Sequence, residues 1–506
     1  MELSHRRAGW FIVLAGVLLF ALAVTAENRT RYLALKSTFS ADLGSFHNQA
    51  VNQAYGRDIT YLFMAAWFKP GDFDGPSVFR SAHFSPLRTL LLPQLYRLCP
   101  RIETLMLLQG LLIAVGAFGL YGLALEQAHS PGLGLVLAGS YLLHPAILHT
   151  ACNDLREITL GIGPALVALW LYAGGRSRWF ALAVLLVLSA RSEYVLLVVA
   201  IPLLAARVAS PGSARRVRWW LPVVLALAWG GVAEAYYRYF YGVSWPLFVY
   251  ATSHSGGGLA GSLGQRLVPF FELMLLPAAF AVLTPEAFGM ALPFVALAKR
   301  VHALQFPPHH LQHLAPAMVL VFWGFALTAL RIWGARPRLR GWFVAVLGVA
   351  AVASFGYFSV LSWQRYPRDL HRFARLARWA DALPVDSTVV VDASLCARFS
   401  GYLRVLDYEH LPMGSPYSSP EQGEAVLAAV AASADLVAAR DAPQLVALVR
   451  RQGLFEPPQR FKRYRIFVRK RSAPRVERPD ETLQRALLWQ QLPSLARRGA
   501  ILASSR

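Results

Sequence analysis

The run WFIVLAGVLLFALAVTA (residues 10–26) is followed by a long polar stretch holding FSADLGSFHNQ (39–49) and SAHFSPL (81–87). The next apolar run begins only at about residue 104. A run of that length, entered just after the bases of HRR, is built to cross a bilayer. Residues 27–103 then form a large loop between two spans. A structured, acid-bearing loop in that place must do something other than span. It points to a reaction at the membrane face, with Asp42 as the leading candidate for a catalytic acid or base.

The bulk composition agrees. The chain has 506 residues and is 56% hydrophobic but only 15% charged, where soluble domains run nearer a quarter charged. Its formal charge of +22 comes mostly from Arg scattered through connecting segments. There is no basic stripe interleaved with aromatics, so nucleic acid is not an expected partner. Bases placed this way hold orientation and touch anionic lipid. Cys99, Cys152 and Cys396 make no CxxC and no metal spacing; isolated thiols are expected, with a Cys99–Cys152 bridge as the alternative. The N-terminus also resembles a secretory signal ending at Val24-Thr25-Ala26, but an uncleaved first span is the expectation.

About eleven apolar runs approach spanning length, near 10–26, 104–125, 132–151, 158–173, 179–190, 193–206, 219–237, 268–283, 286–298, 313–331 and 341–362. The stretch 179–206 decides the topology. As one helix it would bury Arg191 and Glu193 at its middle, at about 2.5–3.5 kcal/mol per charge. As two short helices it places them at a turn. With that hairpin and a cytoplasmic N-terminus, short inner loops hold twelve Arg and short outer segments six bases. The positive-inside rule therefore selects the hairpin and places the C-terminal region outside the cytoplasm. Beyond Trp363 the pattern changes. STVVVDAS, ADLVAARD and YRIFVRK read as strands alternating with the helical EAVLAAVAA and PQLVALVRRQG. The expectation is a membrane domain over 1–362, a small parallel α/β domain over 364–471 and a tail over 472–506.

Several residues in the outer segments could carry chemistry. Asp42 precedes Leu43, Phe46, Ala50 and Ala54, spaced as one helix face, and an N-cap is its structural alternative. His83 shares that loop, and a hydrogen-bonding spacer is its plainer role. In ACNDLREITL, Asp154 and Glu157 are three apart and could bind a divalent ion or a sugar hydroxyl. Equally, they could be acids favoured by the positive end of a helix. Arg191 and Glu193, with Arg156, could hold a phosphate oxygen; the plainer reading is a hairpin turn. HSGGGLAGSLG (254–264) reads as a linker. In PPHHLQHLAP, His309 and His313 lack the acid of an HExxH site, while His310 and His313 are candidate substrate contacts.

ADLGSFHNQA, HFSPL, ETLMLLQG, YLLHPA, NDLRE, ARSEY and HLAPAMVL occur in one order along the chain. That order, over roughly 38–470, resembles a large prokaryotic family of polytopic membrane proteins defined as a domain of unknown function. The family in turn resembles the GT-C glycosyltransferases, multi-span enzymes that use polyprenyl-phosphate sugar donors on the non-cytoplasmic side. Their catalytic acid lies in the first outer loop, where Asp42 stands here. The chain departs from the family where an Asp-Phe-His type run appears as Asp154-Leu155-Arg156, which weakens a carried-over metal role. It departs again where a Lys-Glu pair appears as Arg191-Ser192-Glu193.

The resemblance implies a predominantly α, polytopic transmembrane protein of GT-C-like architecture with a small extracytoplasmic α/β domain. Its implied activity is sugar transfer from a polyprenyl-phosphate donor to a glycan, lipid or protein acceptor at the bacterial inner membrane. Asp42 would be general base and His83, Arg156, Arg191, Glu193, His310 and His313 substrate contacts. Asp154 and Glu157 would be ligands for Mg or Mn. A transporter or lipid flippase, or a membrane scaffold, is the alternative; few charges inside the spans and no matched pair of broken helices speak against transport.

Overall fold

The computed structural model describes residues 2–33, 41–54, 84–206, 208, 218–241, 244, 274, 277–297, 314–363, 383–384, 387–392, 395–396, 399, 404–407, 428, 431–432, 434–440, 442–461 and 464–473. The first helix, α1 (Glu2–Leu33), is longer than its apolar core requires. It runs unbroken through Val24-Thr25-Ala26, so residues 27–33, read as the start of the polar loop, are helical. Helix α2 (Ala41–Ala54) carries the acid motif, and α3 (Leu92–Leu98) is preceded by a single π turn at Leu87–Leu91. Helices α4 (Ile102–Ala114) and α5 (Gly116–Ala128) form one long apolar unit of 27 residues. Helices α6 (Pro131–Leu142) and α7 (Pro145–Ala151) are a broken pair bent by 53°, because Pro145 cannot continue the preceding hydrogen-bond ladder.

Helices α8 (Glu157–Leu160) and α9 (Ile162–Ala173) lead back from α7, and α10 (Ser177–Ala190) follows. The chain then breaks at the charged turn. Arg191 is extended, Ser192–Tyr194 make one 3₁₀ turn, and α11 (Val195–Ala205) starts. Both α10 and α11 pack on α9. Next come α12 (Trp220–Tyr241), α13 (Pro285–Leu297), α14 (Ala315–Ala335) and α15 (Arg340–Trp363). Among the described residues four helical stretches are long and apolar enough to cross a membrane, or five if the bent pair is one span. The apolar helices over 157–173, 177–190 and 192–205 are shorter.

Packing is close because small residues line the contacts. A Cβ at Gly119 would lie 2.6 Å from the Leu166 carbonyl, and one at Gly163 would overlap the Leu112 carbonyl. Helix α14 is the buried centre: Trp323 is fully enclosed and donates its indole N–H to Leu204 O at 3.0 Å. Helix α15, by contrast, leaves Trp342, Val346, Val349 and Val352 exposed, an apolar face suited to lipid.

The C-terminal region holds a five-stranded sheet in the order β2-β1-β3-β5-β4, built from β1 (Thr388–Val391), β2 (Arg404–Asp407), β3 (Leu436–Arg440), β4 (Gln459–Phe461) and β5 (Tyr464–Val468). Val389 and Val391 face one core and Val390 the other, as a strand covered on both faces demands. The expected parallel unit is only partly so. Strands β2, β1 and β3 are parallel, but after α16 (Pro443–Gln452) the chain enters β4 and turns back, so β5 inserts antiparallel between β3 and β4. The two strands the pattern did not announce, β2 and β4, are short polar edges.

Candidate functional site

The site is built from one end of the bundle, starting with the exit of α7. The last carbonyls of any helix lack intrahelical partners. Here two other helices supply them. From α1, Asn28 Nδ2 donates to Ala151 O at 3.0 Å and Arg31 Nη1 to Cys152 O at 2.5 Å. From α4, Gln109 Nε2 donates to Thr150 O and Asn153 O, both at 3.3 Å. All three side chains are buried. They pin the loop that carries Asp154, Arg156 and Glu157.

Asp154 then reaches across to the acid motif. Its Oδ1 accepts from the Leu43 N–H at 2.8 Å and from the Leu155 N–H at 3.1 Å. Leu43 is the third residue of α2, so its N–H is one of the first-turn donors that no helix satisfies internally. One first-turn donor of α2, the Leu43 N–H, is thus capped by Asp154. Asp42 itself is the second residue of the helix, and helical spacing puts positions 42, 46 and 49 on one face.

Phe46 and Gln49 meet a row of buried charge. Arg88, on the π turn, lies 4.1 Å over the Phe46 ring, donates Nε to Gln49 Oε1 at 2.6 Å and pairs through Nη1 with Glu157 Oε1 at 2.6 Å. Single π turns recur at functional positions. Arg191 pairs with Glu193 at 2.6 Å, and Glu157 feels both Arg88 and Arg191. The four side chains are 6–16% exposed. Charges this desolvated need one another, and such a cluster is a functional-site candidate. Gln49 is only 3% exposed, yet its Nε2 has no partner among the described residues. Tyr237, from α12, accepts the Phe84 N–H at 3.1 Å, and Ser85 Oγ donates to Ser189 O at 3.2 Å, which locks the π turn onto α10 and α12. His47 shares a hydrogen bond of 2.9 Å with Tyr96, and burial pushes its pKa down to about 4.

The structure thus brings together Asp154, Glu157, Arg191 and Glu193 from the sequence reading, beside the backbone of Asp42. Arg156 is half-buried at the start of α8. The side chain of Asp42 and all of His83, His309, His310 and His313 lie outside the described residues. Of the pair expected to hold a divalent cation, Asp154 uses one oxygen to accept two backbone N–H groups and Glu157 uses one oxygen to pair with Arg88. Among the described residues no three His, Cys, Asp or Glu side chains gather as a metal site. Sequence reasoning missed Asn28, Arg31, Gln49, Arg88 and Gln109. A signal for Arg88 existed, since a base inside LRTLLLPQLY requires a partner.

A profile described as "Predicted membrane protein (DUF2079)" matches residues 31–401. The chain belongs to the DUF2079 family. The match takes in α2, the π turn, the Asp154 loop and the Arg191 turn. Two crystal structures of ArnT from Cupriavidus metallidurans share the fold of this DUF2079 protein. One is bound to undecaprenyl phosphate (TM-score 0.54) and the other is in the apo state (TM-score 0.50). Each is 14% identical, over 92% of this chain and 99% of ArnT. That likeness shows the GT-C fold. A search of curated proteins found no match.

Proposed function

We propose that this protein is a membrane glycosyltransferase that moves a sugar from a polyprenyl-phosphate donor to an acceptor hydroxyl on the non-cytoplasmic face. The reading is supported by the contact of α2, the helix that carries Asp42, with Arg88 of a buried row of two Arg and two Glu, in a GT-C fold. That ArnT was captured with undecaprenyl phosphate supports the donor class.

In this reaction the Asp42 carboxylate takes the acceptor proton as the acceptor oxygen attacks the anomeric carbon. The bond from that carbon to the phosphate oxygen breaks, the lipid phosphate leaves with the electron pair, and the anomeric configuration inverts. General-base help of this kind is worth about 10²–10⁴ in rate. The departing phosphate gains negative charge, and preorganised cations stabilise it at small reorganisation cost. Arg191, with Arg88 behind Glu157 and Arg156 at the rim, supplies that field. Leu90 and Leu91, exposed beside Arg88, offer apolar surface for the polyprenyl tail. His83, His310 and His313 complete the proposed contacts to sugar and acceptor.

Asp42→Asn keeps shape and removes the base. The test is transfer of labelled sugar from polyprenyl phosphate in proteoliposomes. Transfer should vanish while the variant elutes and melts as the parent does; an active variant overturns the mechanism.

A further inference from the structure

The second acidic loop has a different task from the one its motif suggests. We infer that Asp154 is a positioning residue: it caps α2 from another part of the chain and thereby sets where Asp42 stands. Three observations carry this. Asp154 Oδ1 accepts the first-turn N–H of Leu43, the residue that directly follows Asp42. The same oxygen accepts its own loop's Leu155 N–H, so the carboxylate is held on both sides. The loop behind it is fastened by Asn28, Arg31 and Gln109, three buried side chains from α1 and α4 that hold four consecutive carbonyls, residues 150–153.

A rigid element of the bundle thus transmits its position to α2 through one carboxylate oxygen. An acceptor oxygen at a helix start is what the contact requires; negative charge is not. Asn caps a helix about as well as Asp, whereas Ala does not cap. A cation ligand would behave in the opposite manner, since the amide oxygen of Asn is a poor substitute for a carboxylate at a Mg or Mn ion. The inference rests on the reading of Asp42 as base, and the experiment separates the two.

Asp154→Asn, Asp154→Ala and Asp42→Asn are compared in full-length protein. Two readouts are used: sugar transfer, and hydrogen–deuterium exchange of peptides covering residues 41–54. Asp154→Ala should lower kcat by about 10²-fold, the scale of a misplacement of roughly 1 Å, with KM for the lipid donor little changed. It should also speed exchange in the first turn of α2. Asp154→Asn should stay within about 3-fold of the parent in kcat, because its Oδ1 still accepts, and should leave exchange at its parent level.

An Asn variant as inactive as the Ala variant, with α2 protected as in the parent, overturns the inference, because charge would then be the requirement. Full activity in the Ala variant overturns it as well. Should the Ala variant fail to fold, the Asn variant decides alone. Activity in Asp42→Asn sinks the base assignment instead, and leaves the exchange result to judge the cap.

Discussion

Among the described residues, two buried acid–arginine clusters are built on different terms. In the C-terminal sheet, Asp392 ends β1 and is fully buried. Its Oδ1 accepts from the Leu395 N–H at 3.1 Å, and its Oδ2 meets Tyr464 Oη at 3.1 Å and Arg440 Nε at 3.2 Å. Both oxygens are used, and these partners belong to one sheet and its connections. At the end of the bundle, Arg88, Glu157, Arg191 and Glu193 come from segments far apart in the chain, and the adjoining Gln49 has a buried donor with no partner among the described residues. A closed set of partners stabilises a fold. A set with donor capacity to spare among the described residues, packed on the helix that carries Asp42, is the one the proposed reaction would draw on.

The comparison is broken most directly by chemistry. Asp42→Asn should cost about 10²–10⁴ in kcat, while Asp392→Asn should alter melting and leave kcat of folded protein intact; sugar-transfer kinetics on both variants decide. Next in size is the stability difference. Arg88→Met strands the buried Glu157 carboxylate and should cost about 3 kcal/mol, read by thermal unfolding in detergent. Arg440→Met removes a guanidinium that is one-third exposed and leaves Asp392 its contacts with Leu395 and Tyr464. A loss of about 1 kcal/mol is expected there. Equal losses would erase the distinction between the clusters.

The smallest effect is on pH. His47 is neutral when folded because burial lowers its pKa from 6.5 to about 4. Between those values the unfolded chain binds the extra proton. Its contribution to stability is therefore complete above about pH 6.5 and declines as pH falls toward 4. His47→Gln should flatten the melting-temperature profile of the membrane domain across that window. An unchanged slope would show that α2 does not sense this proton.

Much of this was legible in the residues. The apolar runs announced α1, α4 with α5, α14 and α15, since a stretch of that length has few other ways to avoid water. The β-branched runs announced β1, β3 and β5. ARSEY signalled a break because charge in an apolar run is costly, and Arg191 does lie between α10 and α11. Asp154 and Glu157 were visible as a pair, yet their partners were not. Three residues apart, they suggested a shared face, whereas each looks to a different segment: Asp154 to α2 and Glu157 to the π turn. Arg88 was hidden among the bases of a long loop, and Gln49 among the polar residues of α2.

Composition and periodicity alone determined that this is a membrane protein of helices with a small sheet at its end, because burial of apolar surface depends on local pattern. The order of short motifs determined its family. Only the tertiary structure decided which acid meets which base. Hydrogen bonds and ion pairs act over about 3 Å, and the pairing of Arg88 with Glu157 spans 69 positions of chain. No local pattern encodes such a contact. It exists because α1 and α4 hold one loop, that loop holds α2, and α2 comes to rest against the charges.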